Sequence, residues 1–169
     1  MVFIPRTPVV QNQFVAHDST KGSTATAGSV VSLSGDELVQ VASGTNTIPY
    51  GFLMQNVKAE SSAHPTGFRL PGDLGSSDAF SGDPVGIAHL GVYDTTHYNT
   101  ATTYTAGAYL GVMNDGSGKL TPLGTSSIAF AGHTNSLDLP SADVVAIAQN
   151  TLVTAAVTAG QKLRVKLLI

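Results

Sequence analysis

The stretch Lys-Leu-Arg-Val-Lys-Leu-Leu-Ile at residues 162–169 alternates basic and apolar side chains and ends on an apolar tip. In a β-strand, successive side chains point to opposite faces, so this alternation separates a dry face from a wet one. The stretch therefore predicts a half-buried strand. We expect Lys162, Arg164 and Lys166 to form a solvated face, which is the usual role of basic residues at this spacing.

A tripeptide of small residues comes just before that strand and occurs three times in the chain. The copies are Thr26-Ala27-Gly28, Thr105-Ala106-Gly107 and Thr158-Ala159-Gly160. Each leads within a few residues into an apolar segment, at residues 30–33, 109–113 and 163–169. A small-residue turn that leads into a strand is typical of β architecture, and its repeated use predicts a compact β-barrel or β-sandwich.

Turn-forming residues also separate the other predicted strands. Residues 114–118 read as a glycine-rich hairpin loop between two strands. The apolar run at 144–148 is rich in β-branched residues, which favours a strand over a helix across 141–152. Residues 93–103 are interpreted as a polar loop. We therefore predict an all-β fold of short antiparallel strands.

The first 27 residues differ in character from the rest of the chain. Pro5 and Pro8 interrupt regular strand pairing, and a run of small residues follows. We predict an extended N-terminal arm over 1–27 and a β-barrel or β-sandwich domain over 28–169, with a long loop at about 59–84. A loosely ordered terminus is the alternative.

The predicted arm carries apolar side chains that would be left wet in an isolated subunit. We expect it to lie along a partner and to bury these residues there, so that its removal leaves the β-domain folded. The predicted partner-binding residues are Phe3, Ile4, Val9, Val10 and Phe14.

Composition limits the classes of function that fit this chain. Of 169 residues, 42% are hydrophobic and only 11% are charged, against about 25% charged residues in typical proteins. An uncharged surface favours burial against partners, because charged groups are depleted from interface cores. The formal net charge of −3 and the lack of a basic run argue against nucleic-acid binding.

The sequence shows no sign of disulfide bonds, of a membrane-spanning segment or of a signal peptide. The chain has no cysteine, so disulfides and thiolate metal sites are excluded. No apolar stretch reaches 18 residues, and no basic segment followed by an apolar core indicates a signal peptide. We therefore expect no membrane partner, and we expect synthesis and assembly in a cytoplasm.

The tightest group of side chains with catalytic or metal-binding chemistry is His89, Asp94 and His97. Two imidazoles and a carboxylate can hold zinc or iron. This spacing matches no helix-based ligand pair, so we expect surface or hydrogen-bonding histidines instead.

The acidic and hydroxyl residues point no more strongly than these histidines to a metal site or a catalytic site. Asp73, Asp78 and Asp83 recur every five residues but lack the ligand pattern of an EF-hand. No nucleophile elbow or phosphate-binding loop occurs. We predict a non-enzymatic protein with no catalytic residues, no metal and no cofactor.

Six glycine-containing or apolar segments follow one another along the chain: 26–33, Val39-Gln40-Val41, Tyr50-Gly51-Phe52-Leu53-Met54, Tyr104-Thr105-Ala106-Gly107, Leu120-Thr121-Pro122 and 144–148. This succession resembles the glycine-rich β-domain of tailed-bacteriophage capsid decoration proteins, also called cement or head-stabilisation proteins. The resemblance covers roughly residues 26–169. The chain departs from the simplest members in its long 59–84 segment and in its apolar N-terminal arm.

The resemblance implies a structural virion protein on the outer surface of a phage capsid. Such a protein is typically a homotrimer, and it stabilises the head by bridging major capsid protein subunits. Four alternatives remain open: a tail-tube subunit, the attachment domain of a tail fibre, a hydrolase, and a carbohydrate-binding β-sandwich. The last would use exposed aromatic side chains, for which the candidates are Tyr93, Tyr98, Tyr104 and Tyr109. A hydrolase would instead depend on His89 or His97.

Overall fold

The computed structural model describes residues 3–5, 12–17, 24–35, 38–42, 48–59, 78–123 and 144–169. Over these ranges the chain forms thirteen strands and one short helix, which confirms the predicted all-β class. The elements are β1 Phe3–Pro5, β2 Asn12–His17, β3 Val30–Gly35, β4 Leu38–Val41, β5 Pro49–Leu53, β6 Asn56–Lys58, β7 Asp78–Phe80, β8 Pro84–Ala88, β9 Leu90–Thr95, β10 Tyr109–Val112, β11 Leu120–Pro122, β12 Ala146–Ala148, α1 Thr154–Thr158 and β13 Leu163–Leu168.

A six-stranded antiparallel sheet has the order β1-β9-β13-β12-β10-β11. The strand predicted at residues 162–169 is β13, which pairs with β9 on one side and β12 on the other. Leu163, Val165 and Leu167 are buried, whereas Arg164 and Lys166 are exposed. The alternation of the sequence therefore matches the two faces of this strand, as predicted.

A second sheet closes into a five-stranded barrel of order β2-β4-β3-β5-β8. Its pairs are antiparallel except β2 with β4, which run parallel. The short strands β6 and β7 form a further parallel pair. Two parallel pairs thus depart from the predicted wholly antiparallel arrangement, because each joins strands that are linked by a long connection rather than a hairpin turn.

The predicted loop at about 59–84 includes the strand β7. Its backbone pairs with β6, with Val57 opposite Ala79. Residues 60–77 of that loop lie outside the described residues. The predicted hairpin loop at 114–118 is confirmed, since it joins the antiparallel neighbours β10 and β11.

The three Thr-Ala-Gly tripeptides form turns that depend on a glycine with positive φ. Gly28, Gly107 and Gly160 have φ of 92°, 87° and 66°, a region that residues with a Cβ rarely adopt. In the first two copies the threonine carbonyl accepts from the N–H three residues later, that of Ser29 or Ala108. The same tripeptide therefore forms two reverse turns.

The third copy ends the helix α1, which was not predicted from the sequence. The N–H of Gly160 donates to the Val157 carbonyl, and that of Gln161 donates to the Ala156 carbonyl. This is the Schellman pattern of a helix C-terminus, which requires the left-handed residue that glycine supplies. Val157 is the buried residue of this helix.

The main hydrophobic core lies between the six-stranded sheet and one side of the barrel. It includes Phe52 and Val30 of the barrel together with Tyr93, Leu110 and Leu163 of the six-stranded sheet. A smaller core fills the rest of the barrel and extends under β6 and β7, with Val31, Val39, Leu53, Val57, Ala79, Val85 and Ile87.

The interpretation of residues 93–103 as a polar loop was right in part: residues 93–95 belong to β9, whereas residues 96–103 lie outside the named strands and the helix but are partly buried. Tyr93 belongs to β9, and Tyr98 and Tyr104 are buried. The hydroxyls of Tyr98 and Tyr104 are satisfied by main-chain carbonyls: Tyr98 donates to Gln161 at 2.6 Å, and Tyr104 donates to Leu120 at 3.0 Å. Because their polar ends have partners, these side chains can pack in the core despite the polar residues around them in the sequence.

The described parts of the predicted N-terminal arm pair with strands of the same chain. In β1, Ile4 lies opposite Asp94 of β9, and β2 runs between β8 and β4 of the barrel. The ring of Phe3 stacks on Tyr93, with centroids 4.4 Å apart, and lies 6.0 Å from Phe52. Both strands are thus built into the sheets, by backbone pairing in each case.

Candidate functional site

The histidines and the aspartate singled out from the sequence lie in separate environments. Asp94 is buried and accepts from the Arg164 guanidinium at 2.9 Å. The His89 ring packs edge-on against Tyr50, with centroids 5.0 Å apart. Among the described residues, no three His, Cys, Asp or Glu side chains come together as metal ligands. The described part also contains no helix long and apolar enough to cross a membrane.

His97 is the centre of a buried polar cluster at the junction of the two sheets. Its Nε2 lies 3.0 Å from the Ser117 carbonyl and 3.0 Å from Ser29 Oγ. Its backbone N–H donates to Thr95 Oγ1 at 2.9 Å. Through these bonds His97 ties the loop at 114–118 to the start of β3, where the Val30 N–H also donates to the Gly118 carbonyl.

The geometry of this cluster does not provide a serine nucleophile. A carbonyl oxygen only accepts hydrogen bonds, so the bond to Ser117 requires the proton on His97 Nε2. That nitrogen then has no lone pair with which to take the Ser29 proton. Burial lowers the pKa of His97, and both Ser29 and His97 are shielded from solvent. The serine and histidine therefore hold loops together, and no sequence pattern indicated that they would meet.

The acidic residues considered for calcium have other roles where they are described. Asp78 forms an ion pair with Lys58 and accepts from Asn56 Nδ2 at 3.1 Å. Asp83 accepts from the Phe80 N–H at 3.3 Å, which is a local turn contact. Asp73 lies outside the described residues.

The tyrosines do not form an exposed platform for a sugar. Tyr93, Tyr98 and Tyr104 are at most 1% exposed, and Tyr98 packs against Tyr104 at a centroid distance of 5.3 Å. Tyr109 is 43% exposed. Of these four rings only Tyr109 is exposed, so they do not form the aromatic cluster on which the carbohydrate-binding alternative was based.

The structure describes the predicted partner-binding residues of the N-terminal segment to different extents. Phe3 is half-buried within its own chain. Ile4 and Phe14 are placed by the backbone pairing of β1 and β2, opposite Asp94 and Gly86. Val9 and Val10 lie outside the described residues. Binding of a partner by this set stays a prediction.

Exposed apolar residues lie on the outer face of the six-stranded sheet, the face away from the main core. Register places Val92, Lys166, Ile147 and Tyr109 in one row across β9, β13, β12 and β10. Leu90 and Leu168 oppose each other in the next row and are 41% and 40% exposed. Residues directly opposite in adjacent strands share a face, so these six residues form one surface, called the outer face below.

Two further exposed apolar residues lie beside the barrel. Leu33 near the end of β3 is 51% exposed, and Ile48 just before β5 is 83% exposed. Ser32 is opposite Pro49, which brings Leu33 and Ile48 to neighbouring positions of the β3–β5 pair. A further exposed apolar residue of the described surface, Val153, precedes α1. The outer face thus brings together more apolar residues than either of these other places.

Comparison with known proteins gives a similarity in fold to a phage protein of known structure. No protein-family model and no curated protein matches the chain. Among solved structures, the chain is similar to the N base of head fiber gp8.5 of bacteriophage phi29, with a TM-score of 0.50 and 14% sequence identity. The match covers 94% of this chain and 93% of the phage chain. The chain therefore shares, over nearly its whole length, the fold of a structural protein of a phage head.

Proposed function

We propose that this chain is a non-enzymatic structural protein of a tailed-phage virion that binds the outer surface of the capsid and bridges major capsid protein subunits. The observation that carries the proposal is the fold shared with a phage head-fibre base over nearly the full length of both chains. The resemblance of the sequence to capsid decoration proteins points to the same part of the virion.

The surface of the chain supports a role in adhesion. Only 11% of its residues are charged, and the outer face carries apolar side chains on four adjacent strands, of which Leu90, Tyr109 and Leu168 are exposed and Val92 and Ile147 are half-buried. Covering exposed apolar surface with a partner is favourable and stabilises the contact by about 25 cal/mol per Å². Such surfaces are typical of interaction sites rather than of catalytic clefts.

We further propose that the protein acts as a homotrimer with major capsid protein as its partner. Several weak contacts from one oligomer multiply through effective concentration, so each contact with the shell can be small. A closed ring of three copies requires a head-to-tail seam between two different patches. Bridging between capsomers then adds interface area at the places where a pressurised shell separates, and it requires no catalysed reaction.

The test is the thermal stability of phage heads with and without this protein. Particles that lack it should release their DNA at a lower temperature than wild-type particles, and adding purified protein back should restore the wild-type temperature. The release temperature is measured by the fluorescence of a DNA-binding dye. Equal release temperatures in all three preparations would remove the bridging role.

A second candidate is the anchoring base of a fibre on the head surface, because the similar solved structure is itself the N base of a head fiber. In that case the β-domain attaches to the shell and carries a projection. A cryo-electron-microscopy map separates the two functions. Density that extends outward from the domain favours a fibre base, and density confined to the shell surface between capsomers favours a bridge.

A further inference from the structure

We propose that the outer face of the six-stranded sheet is the surface that contacts the shell, and that Lys166 pairs there with a carboxylate of the shell protein. This inference rests on the proposed function and identifies the part of the molecule that performs it. The expected occupant is therefore an apolar protein surface with an acidic residue near its centre.

The outer face has the shape and composition of a contact surface. Val92, Lys166, Ile147 and Tyr109 form a continuous row across four hydrogen-bonded strands. The row continues toward β11, because the N–H of Leu123 donates to the Tyr109 carbonyl at 2.9 Å. A sheet face held by main-chain bonds on both sides of β12 and β13 is rigid, so little side-chain or backbone ordering is needed on binding.

Lys166 determines the chemistry of the partner. It is exposed at the middle of this apolar row, and within the described residues it forms no ion pair. Arg164, two residues earlier on the same face, is already paired with Asp94. Covering Lys166 with an apolar surface alone would bury an unpaired charge, which is costly. A partner that covers the row must therefore supply a carboxylate opposite Lys166.

A second copy of this chain that pairs through its own outer face does not meet that requirement, and a head-to-tail contact with another part of a second copy is tested by the oligomeric state of the variants below. Two copies that met through the same face would bring their Lys166 ammonium groups toward each other at the centre of the contact, and like charges there are unfavourable. The other exposed apolar residues of the described surface, Leu33 and Ile48 beside the barrel and Val153 before α1, do not form a second row across a sheet. Charge complementarity therefore favours a foreign acidic surface.

The experiment measures binding of purified variants to phage particles that lack this protein. Lys166→Glu reverses the charge at the centre of the face, and Tyr109→Asp places a carboxylate in its apolar part. Lys162→Glu is the matched control, since Lys162 is exposed and lies just before β13, outside the row. Binding is measured by co-sedimentation, and the folding and oligomeric state of each free variant by circular dichroism and analytical ultracentrifugation.

We expect Lys166→Glu and Tyr109→Asp to bind about tenfold more weakly or worse, with unchanged folding and oligomeric state, while Lys162→Glu binds like wild type. If wild type binds and both face variants bind equally well, the inference is wrong and the proposed function stands. If the face variants dissociate the free oligomer, the outer face is a seam between copies and the inference is also wrong. If wild type itself does not bind, the proposed function and the inference fall together.

Discussion

At the scale of single residues, His97 makes stability depend on pH. Burial lowers the pKa of His97, the bond to the Ser117 carbonyl opposes that shift, and nearby Lys119 adds to it. Below its ordinary value of 6.5, the unfolded chain takes up a proton that the folded chain resists. The contribution of His97 to the free energy of unfolding is therefore complete above about pH 6.5. It is lost as the pH drops below that value, by at most about 1.4 kcal/mol per pH unit for one histidine.

This dependence can be measured by urea unfolding at pH 7.5, 6.5 and 5.5. The variant His97→Gln retains a side-chain N–H donor for the Ser117 carbonyl but does not titrate, so its stability should fall less between pH 6.5 and 5.5 than that of wild type. Some slope should remain, because burial also lowers the pKa of His89. A variant with the full wild-type slope would show that His97 is not the responsible group.

At the scale of elements, the repeated turns differ in how tightly they are enclosed. Gly28 and Gly107 have nearly equal φ, 92° and 87°. A Cβ at position 28 would lie 2.8 Å from Thr95 Oγ1 and 3.3 Å from the His97 Cβ, whereas a Cβ at position 107 would have no atom within 4 Å. Both alanine variants carry the same backbone strain, but only Gly28→Ala also disturbs the junction between the sheets.

We therefore expect Gly107→Ala to lower the free energy of unfolding by about 1–2 kcal/mol, from the left-handed conformation alone. Gly28→Ala should lower it by a further 1–3 kcal/mol or so, because overpacking is added. Chemical denaturation of both variants beside wild type gives the comparison. Equal losses would mean that Thr95 and His97 move aside without cost.

An element could be predicted from the sequence when its own residues carry the pattern that determines it, and could not when packing against distant residues determines it. The strand β13 was predictable because burial on one face and solvent on the other leave a period of two in its own residues. The loop at 114–118 was predictable from its turn residues. The helix α1 was not, since Thr154–Thr158 is a single short turn rich in β-branched residues and ends on a tripeptide that elsewhere precedes strands. Its helical state is set by packing of Val157 in the core.

At the scale of the whole molecule, what escaped prediction was contact between distant segments. Ser29 and His97 meet across 68 positions, and Arg164 meets Asp94 across 70. No local pattern encodes such pairs. The core position of Tyr98 and Tyr104 was missed for the same reason, because their hydroxyl partners, such as the Gln161 carbonyl, belong to other elements.

The N-terminal segment gives the sharpest test of the whole fold. An arm that only touches a partner could be removed without loss of folding. In the structure, β2 instead runs between β8 and β4, so its removal opens the barrel and leaves two strand edges without their hydrogen-bond partners. Unpaired strand edges are also templates for aggregation. We therefore expect deletion of residues 1–20 to abolish cooperative folding or to cause aggregation.

Deletion of residues 1–8 is the matched control. It removes β1, whose Phe3 ring stacks on Tyr93, but leaves every strand of the barrel in place. Loss of that half-buried ring should lower the free energy of unfolding by about 1–3 kcal/mol while the protein stays folded. Thermal unfolding followed by circular dichroism separates the two deletions. If the longer deletion unfolded at the wild-type temperature with wild-type β content, β2 would not be needed to close the barrel, and the segment would act as the dispensable arm that its sequence suggested.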